Sequence, residues 1–297
     1  MSNLYEEVTG QIIEMMEQGQ IPWHKPWAGT SAGAISHSTG RPYSLLNQMI
    51  LQKPGEYITF HQVQEEGGRV MKGAKAKHVY FWKMLQKPVT DEDGRPVLKD
   101  DGTPKTQNIP VLKCFSVFHL DQCEGIKARW ADRLPEVPAE PIQAAEAVLM
   151  DYISREGIRF EADKLSDRAY YSPALDLINL PRLDQFKEAA EYYSTAFHEA
   201  THSTGHPSRL NRLSLSGSLA AFGSEDYSKE ELTAEIGSAC ILHQMGIETP
   251  LSLRNSAGYI QGWLKALKDD KSLIIGAAAR AEKAARLILN QMDGAEA

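Results

Sequence analysis

The sequence predicts an α+β protein in two parts: a mixed α/β N-terminal domain, then a domain with a small sheet and several helices. Three observations lead there. The chain has 297 residues, 42% hydrophobic and 24% charged, the composition of an ordinary globular protein long enough for two domains. Strand-like apolar runs and segments of helical period occur on both sides of its middle. Between them, LPEVPAEPI places prolines at 135, 138 and 141, a density that neither a helix nor a central strand accommodates. Residues 1–130 and 143–297 are therefore expected to be domains with their own cores, joined by a proline-rich linker over 131–142.

In the first part, Leu4, Val8, Ile12 and Met15/Met16 recur at helical spacing and stop at Gly19. A loop dense in Pro, Gly, Ser and aromatics follows, QIPWHKPWAGTSAGAISHSTGRPYS, then a short helix over Leu45–Leu51, a strand in YITF and a helix in HQVQEEGG. HVYFWKML and VLKCFSVFHL read as strands. The polar segment between them holds the turn signals DG and DGTP, so it reads as an exposed hairpin or loop. The second part opens with a helix over Ala144–Glu156 and strands in IRFEA, AYYSP and LDLINLP. Helices follow near Gln185–Ser203, Lys229–Met245, Ala257–Lys268 and Leu273–Met292. LDLINLP reads either as an edge strand that receives a peptide by strand addition or as a plain core strand.

No apolar run approaches the roughly 20 residues that span a bilayer, and Glu6, Glu7, Glu14 and Glu17 interrupt the start as no signal peptide would allow. Three cysteines without a CxxC pair argue against a disulfide framework. A cytoplasmic protein without a membrane partner is expected.

A net charge of −7 gives no global case for nucleic acid. The local distribution differs, because Arg69, Lys72, Lys75, Lys77, Lys83 and Lys87 follow one another with no intervening acid. Bases also interleave with rings in Trp23, Lys25 and Trp27, in Arg41 and Tyr43, and around Trp82. Such a mixture holds single-stranded nucleic acid, bases stacking on rings while phosphates meet Lys or Arg. Each ring serves equally as a core anchor. The DNA-binding candidates are Trp23, Lys25, Trp27, Arg41, Tyr43, Arg69, Lys72, Lys75, Lys77 and Trp82.

The sharpest pattern is His198-Glu199-Ala200-Thr201-His202, inside the helical segment EYYSTAFHEATHS. Residues four apart share a helix face, so two imidazoles can meet one metal, and Glu199 can deprotonate a water on it. An open catalytic site needs a third ligand. The next helix offers Glu231 and Glu235, one carboxylate to bind and one to orient a histidine. A third histidine at HExxHxxGxxH spacing is absent, since that position is Ser208, and His206 reads as structural. The pattern therefore favours a zincin with a glutamate ligand. The donor set suits zinc, with manganese as the alternative.

The series IIEMMEQGQIPWHKPW, STGRPYSLLNQMIL, YITFHQV and GGRVMKGAKAKHVYFWK resembles the single-stranded-DNA-binding domain of ArdC-type antirestriction proteins. LINLPRLDQF, YYSTAFHEATHSTGHPSRLNR and YSKEELTAEIGSACIL resemble the zincin-like metallopeptidase domain that follows it in that family. The resemblance implies a plasmid-borne protein that binds incoming single-stranded DNA during conjugation and counters host restriction; the alternatives are a peptidase for a specific protein, of the restriction system or another, targeted by DNA binding, and a DNA-coating protein whose metal site is not catalytic. It also implies Glu231 as the metal ligand and Glu235 as the residue orienting a ligand. Tyr227, one turn before Glu231, reads either as a group that stabilises an oxyanion or as surface packing.

Overall fold

The computed structural model describes residues 4–23, 33–91, 93, 95–100, 102–130, 138–212, 225–247 and 257–291. Within 225–227 and 257–259 it describes the backbone only. Helix α1 (Leu4–Glu17) buries Val8, Ile12, Ile13 and Met16 along one face. It precedes a four-stranded sheet in the order β1 (Ala34–Ser36), β2 (Gly55–Thr59), β5 (Thr106–His119), β4 (Lys77–Pro88). The β1–β2 pair is parallel, and the other two pairs are antiparallel. Helix α2 (Leu45–Leu51) lies between β1 and β2. Helix α3 (Phe60–Glu65) follows β2 directly, started by Thr59, whose hydroxyl accepts from the Gln62 amide while the Gln62 side chain accepts from the Thr59 amide. Strands β3 (Arg69–Val70) and β6 (Cys123–Glu124) form a separate two-stranded ribbon. The long β4–β5 hairpin continues through bridges at Thr90–Pro96 and Leu98–Pro104.

The second part begins with α4 (Pro141–Glu156), whose first turn accepts Pro141 because its missing N–H has no partner to lose there. Three strands follow, β7 (Arg159–Glu161), β8 (Tyr170–Ser172) and β9 (Leu177–Asn179), in the order β7-β9-β8. LDLINLP therefore supplies the central strand. It pairs parallel with β7 and antiparallel with β8, and Ile178 and Leu180 are buried, so the edge-strand alternative is corrected. The remaining helices are α5 (Ala189–Ser203), α6 (Glu225–Met245), α7 (Ala257–Asp269) and α8 (Leu273–Ile288).

The expectation of two separate cores is also corrected. One cluster joins Ile12, Met16, Met49, Ile50, Tyr80 and Leu112 from the first part to Leu232, Ile236, Leu267, Ile274 and Ala278 from the second. Glu282 of α8 accepts from the amide of Leu45, at the start of α2, at 3.0 Å. A second cluster, around Tyr152, Ile178, Phe197 and Ile241, belongs to the second part alone. None of the described helices is long and apolar enough to cross a membrane.

Candidate metal centre

Helix α5 packs Tyr193, Ala196, Phe197 and Ala200 into the second core, which leaves His198 and His202 on the side turned to α6. The two helices approach closely because the facing residues are small. A Cβ on Gly237 would come within 2.7 Å of the Thr201 methyl, and the Ser238 hydroxyl donates to the Ser194 carbonyl at 2.8 Å. Thr201 is itself fixed, its hydroxyl donating to the Phe197 carbonyl. At this separation Glu231 meets both histidines.

The donor spacing fits a metal. His198 Nε2 lies 3.1 Å from His202 Nε2, and Glu231 carboxylate oxygens lie 3.6 Å from the first and 3.4 Å from the second. A tetrahedral zinc with bonds of about 2.0–2.1 Å separates its ligand atoms by about 3.3–3.4 Å. The other ring nitrogens point to acids as well. Glu235 Oε1 lies 3.5 Å from His198 Nδ1, and Glu230 Oε1 lies 3.3 Å from His202 Nδ1. A carboxylate bonded as Glu230 is to His202 sets the tautomer and raises ligand basicity, whereas His198 Nδ1 makes no hydrogen bond among the described residues and Glu235 stands beside it. Glu199 is buried beside the histidines, and its charge favours the protonated form of His202.

Sequence reading missed Glu230 and Arg212. Glu230 is buried, and Arg212 holds it through Nη2 at 2.9 Å while also donating to the Thr201 carbonyl. Arg209, three residues earlier, donates to Asp176 and to the Ser203 carbonyl, which ties the segment after α5 to the small sheet. Two adjacent glutamates in KEELTAE look alike along the chain, and only the facing helix distinguishes the one that binds from the one that supports.

Electrostatics follow from these contacts. Burial opposes charge on His202, but Glu230, Glu231 and Glu199 outweigh it and raise its pKa to about 10. Burial likewise opposes charge on Glu231, yet the two histidines hold its carboxyl well below the usual range. A metal must expel the His202 proton to bind, so its affinity is expected to rise about tenfold per pH unit below that value. Calorimetric titrations one pH unit apart would check this, and an affinity independent of pH would contradict it. For chelated protein the sign reverses. The folded-state pKa exceeds the ordinary 6.5, so this histidine's contribution to stability is complete below about 6.5 and lost as pH rises through about 10.

The proposed DNA contacts are scattered. Trp23 is buried in the core shared by the two halves and Tyr43 in the small cluster around Tyr57 and Val79, so Trp23 is corrected from stacking platform to core anchor. Arg69 is exposed and donates to Glu124 at 2.6 Å. Arg41, Lys72, Lys75, Lys77 and Trp82 are exposed, and Trp82 meets Tyr5 edge-on. Lys25, Trp27 and the Tyr227 side chain lie outside the described residues. A second group of potential ligands, Glu7, His78 and Cys114, is already joined by hydrogen bonds, Glu7 accepting from His78 and from the Tyr80 hydroxyl.

A paired-histidine helix faced by a glutamate on the next helix, beside a three-stranded sheet, defines a zincin-like metallopeptidase domain. Sequence comparison agrees: residues 147–280 match the zincin-like metallopeptidase family, and residues 2–118 match the N-terminal domain of anti-restriction factor ArdC. The metal-free crystal structure of antirestriction protein ArdC from plasmid R388 is 34% identical, covers 98% of both chains and superposes with a TM-score of 0.70. Its Mn(II)-bound form is 32% identical, with a TM-score of 0.71 over 99% of this chain and all of that one. The chain belongs to the ArdC antirestriction family. It is also 30% identical to protein y4eC of Sinorhizobium fredii, covering 94% of that protein. Identity to a DNA primase TraC of Escherichia coli is 35% over 299 residues, and there this chain spans only 27% of the relative's length.

Proposed function

We propose that the chain is a plasmid-type antirestriction protein that acts in the cytoplasm, binds single-stranded DNA during conjugative transfer and carries a zinc-dependent peptidase centre. One observation carries the hydrolytic half, namely two imidazole nitrogens 3.1 Å apart with the Glu231 carboxylate facing both at 3.4–3.6 Å, close to the ligand separations of a tetrahedral ion. His198, His202 and Glu231 would hold the ion, with manganese as the alternative, since the related R388 protein has a Mn(II)-bound structure. Bound there, it would supply a Lewis acid that polarises an amide carbonyl. Glu199 takes the proton of the attacking water and passes it to the leaving amine. Glu235 and Glu230 hold the two rings in the tautomers that bind. Tyr227, one turn before Glu231 on α6, stabilises the oxyanion, and the substrate is a protein such as a restriction subunit. The DNA-binding half rests on the ArdC N-terminal match and on rings and lysines left exposed over residues 72–83. Residues 1–130 and 143–297 remain the functional divisions, whatever core they share.

Glu199→Gln is expected to lower peptidase rates about 10²–10⁴-fold while leaving stoichiometric metal and DNA affinity unchanged. Metal analysis and a casein or peptide assay on the same preparation check it, and undiminished hydrolysis would remove Glu199 from its role. Scoring Glu199→Ala in cells for protection of conjugated DNA then separates two routes. Loss of protection makes proteolysis the means, whereas retained protection makes the protein a coat for DNA.

A further inference from the structure

We propose that single-stranded DNA lies in the cleft between the β4–β5 hairpin and helices α6 and α8, stacked on Phe81 and Phe115 with its phosphates against Lys83 and Lys113. This rests on the reading of the protein as a single-strand binder and says where on it the strand goes.

Register decides which hairpin face is available. Phe81 pairs with Lys113, Lys83 with Val111, and Val79 with Phe115. Side chains alternate between faces of a sheet, so Phe81, Lys83, Lys113 and Phe115 all stand on one face. The other face carries Tyr80 and Trp82 and packs against α1, through Gln11 and Glu7 to Tyr80 and through Tyr5 to Trp82. On the first face Val79 and Val117 are packed under Tyr43 and Tyr57, and beyond them the face is open. Phe81 and Phe115 are 42% and 48% exposed, with centroids 5.9 Å apart, and the Tyr43 ring continues the row 6.0 Å from Phe81. Exposed aromatic pairs cost hydration energy unless something covers them in use.

The space in front of these rings is a cleft of about 1150 Å³, walled on its far side by α6 residues such as Cys240 and His243 and by Arg286 of α8. It exceeds the roughly 300–1,000 Å³ typical of small-molecule sites, which suits a segment of polymer. Its charge suits a polyanion, although the whole protein is acidic. Arg41, Lys83, Lys113 and Arg286 line it against one carboxylate, Glu282. That carboxylate is engaged by the Leu45 amide and by Arg286. Lys83 and Lys113 have no ion-pair partner among the described residues. Rings flanked by uncommitted lysines give sequence-tolerant stacking with phosphate neutralisation. The Arg69–Lys75 segment offers no ring beside its lysines.

Fluorescence anisotropy with a labelled oligothymidine of about 16 nucleotides tests the placement on the full chain. Phe81→Leu/Phe115→Leu keeps apolar volume and removes stacking, and is expected to weaken binding roughly 10- to 100-fold. Lys83→Ala/Lys113→Ala should reduce the slope of log affinity against log salt by about 1.4 units, at about 0.7 per phosphate. Lys72→Ala/Lys75→Ala should change affinity less than either. Melting curves of each variant establish that it is folded. If wild type binds the oligonucleotide and both cleft variants bind as tightly with unchanged salt slope, the placement is overturned while single-strand binding stands. If wild type prefers duplex or binds neither, the single-strand reading itself falls. Photocrosslinking an iodouracil-bearing strand gives a second measure. Adducts at Phe81 or Phe115 support the cleft, and adducts confined to Trp82 on the opposite face overturn it.

Discussion

Glu231→Ala is expected to abolish stoichiometric metal binding and to melt at the temperature of chelator-treated wild type. Metal held only by the folded state stabilises by mass action, about 2.7 kcal/mol at a hundredfold excess over the dissociation constant. For a chain of 297 residues that amounts to roughly 4 °C in melting temperature. His202→Ala should behave alike, since it removes the ligand 3.4 Å from Glu231. Glu235→Ala removes a group that lies against His198 Nδ1 and bonds no metal, so it should weaken metal only about 10–100-fold. Glu230→Gln should fall in the same range, the amide retaining an acceptor for Arg212. Metal titrations monitored by calorimetry rank the four variants, and a greater loss from Glu235→Ala than from Glu231→Ala would exchange their roles.

The other large effect is expected far from the metal. Ile12, on α1, is fully buried in the cluster that also holds Leu267 and Ile274 of the C-terminal helices. Truncating it to alanine should cost about 2–5 kcal/mol, and the loss should appear in one cooperative transition reported by both halves. For the same reason residues 143–297 alone should fail to form a stable fold, because Leu232, Ile236, Leu267 and Ile274 would lose the surface that α1 and α2 cover. Circular dichroism and thermal melting of that fragment decide it. A sharp native-like transition without residues 1–125 would show that the second cluster, around Phe197 and Ile241, suffices.

What the chain showed before folding was whatever depends on local spacing. Helix α5 and its histidines were legible because i and i+4 share a face, and the hairpin strands were legible as apolar runs bounded by turn residues. Relations between distant segments were not. An apolar stripe on α1 reads the same whether its partner comes from the same half or the other, so the shared core had no signature. The order β7-β9-β8 places the last strand centrally, which no property of LDLINLP announces. Trp23 beside a lysine looks like a stacking ring until burial places it among Ile12 and Met49. Phe81 and Phe115 become a pair only through hairpin register, 34 positions apart along the chain.

The core shared between the two halves bears on how this fold is inherited. A unit that shuffles freely between genes must be stable wherever it lands, and neither half here buries its own apolar surface completely. Either half alone would leave part of this cluster, Ile12 and Ile50 on one side or Leu267 and Ile274 on the other, without the surface that covers it. A substitution at a residue of either half that packs in this cluster therefore changes the surface the other half must fit.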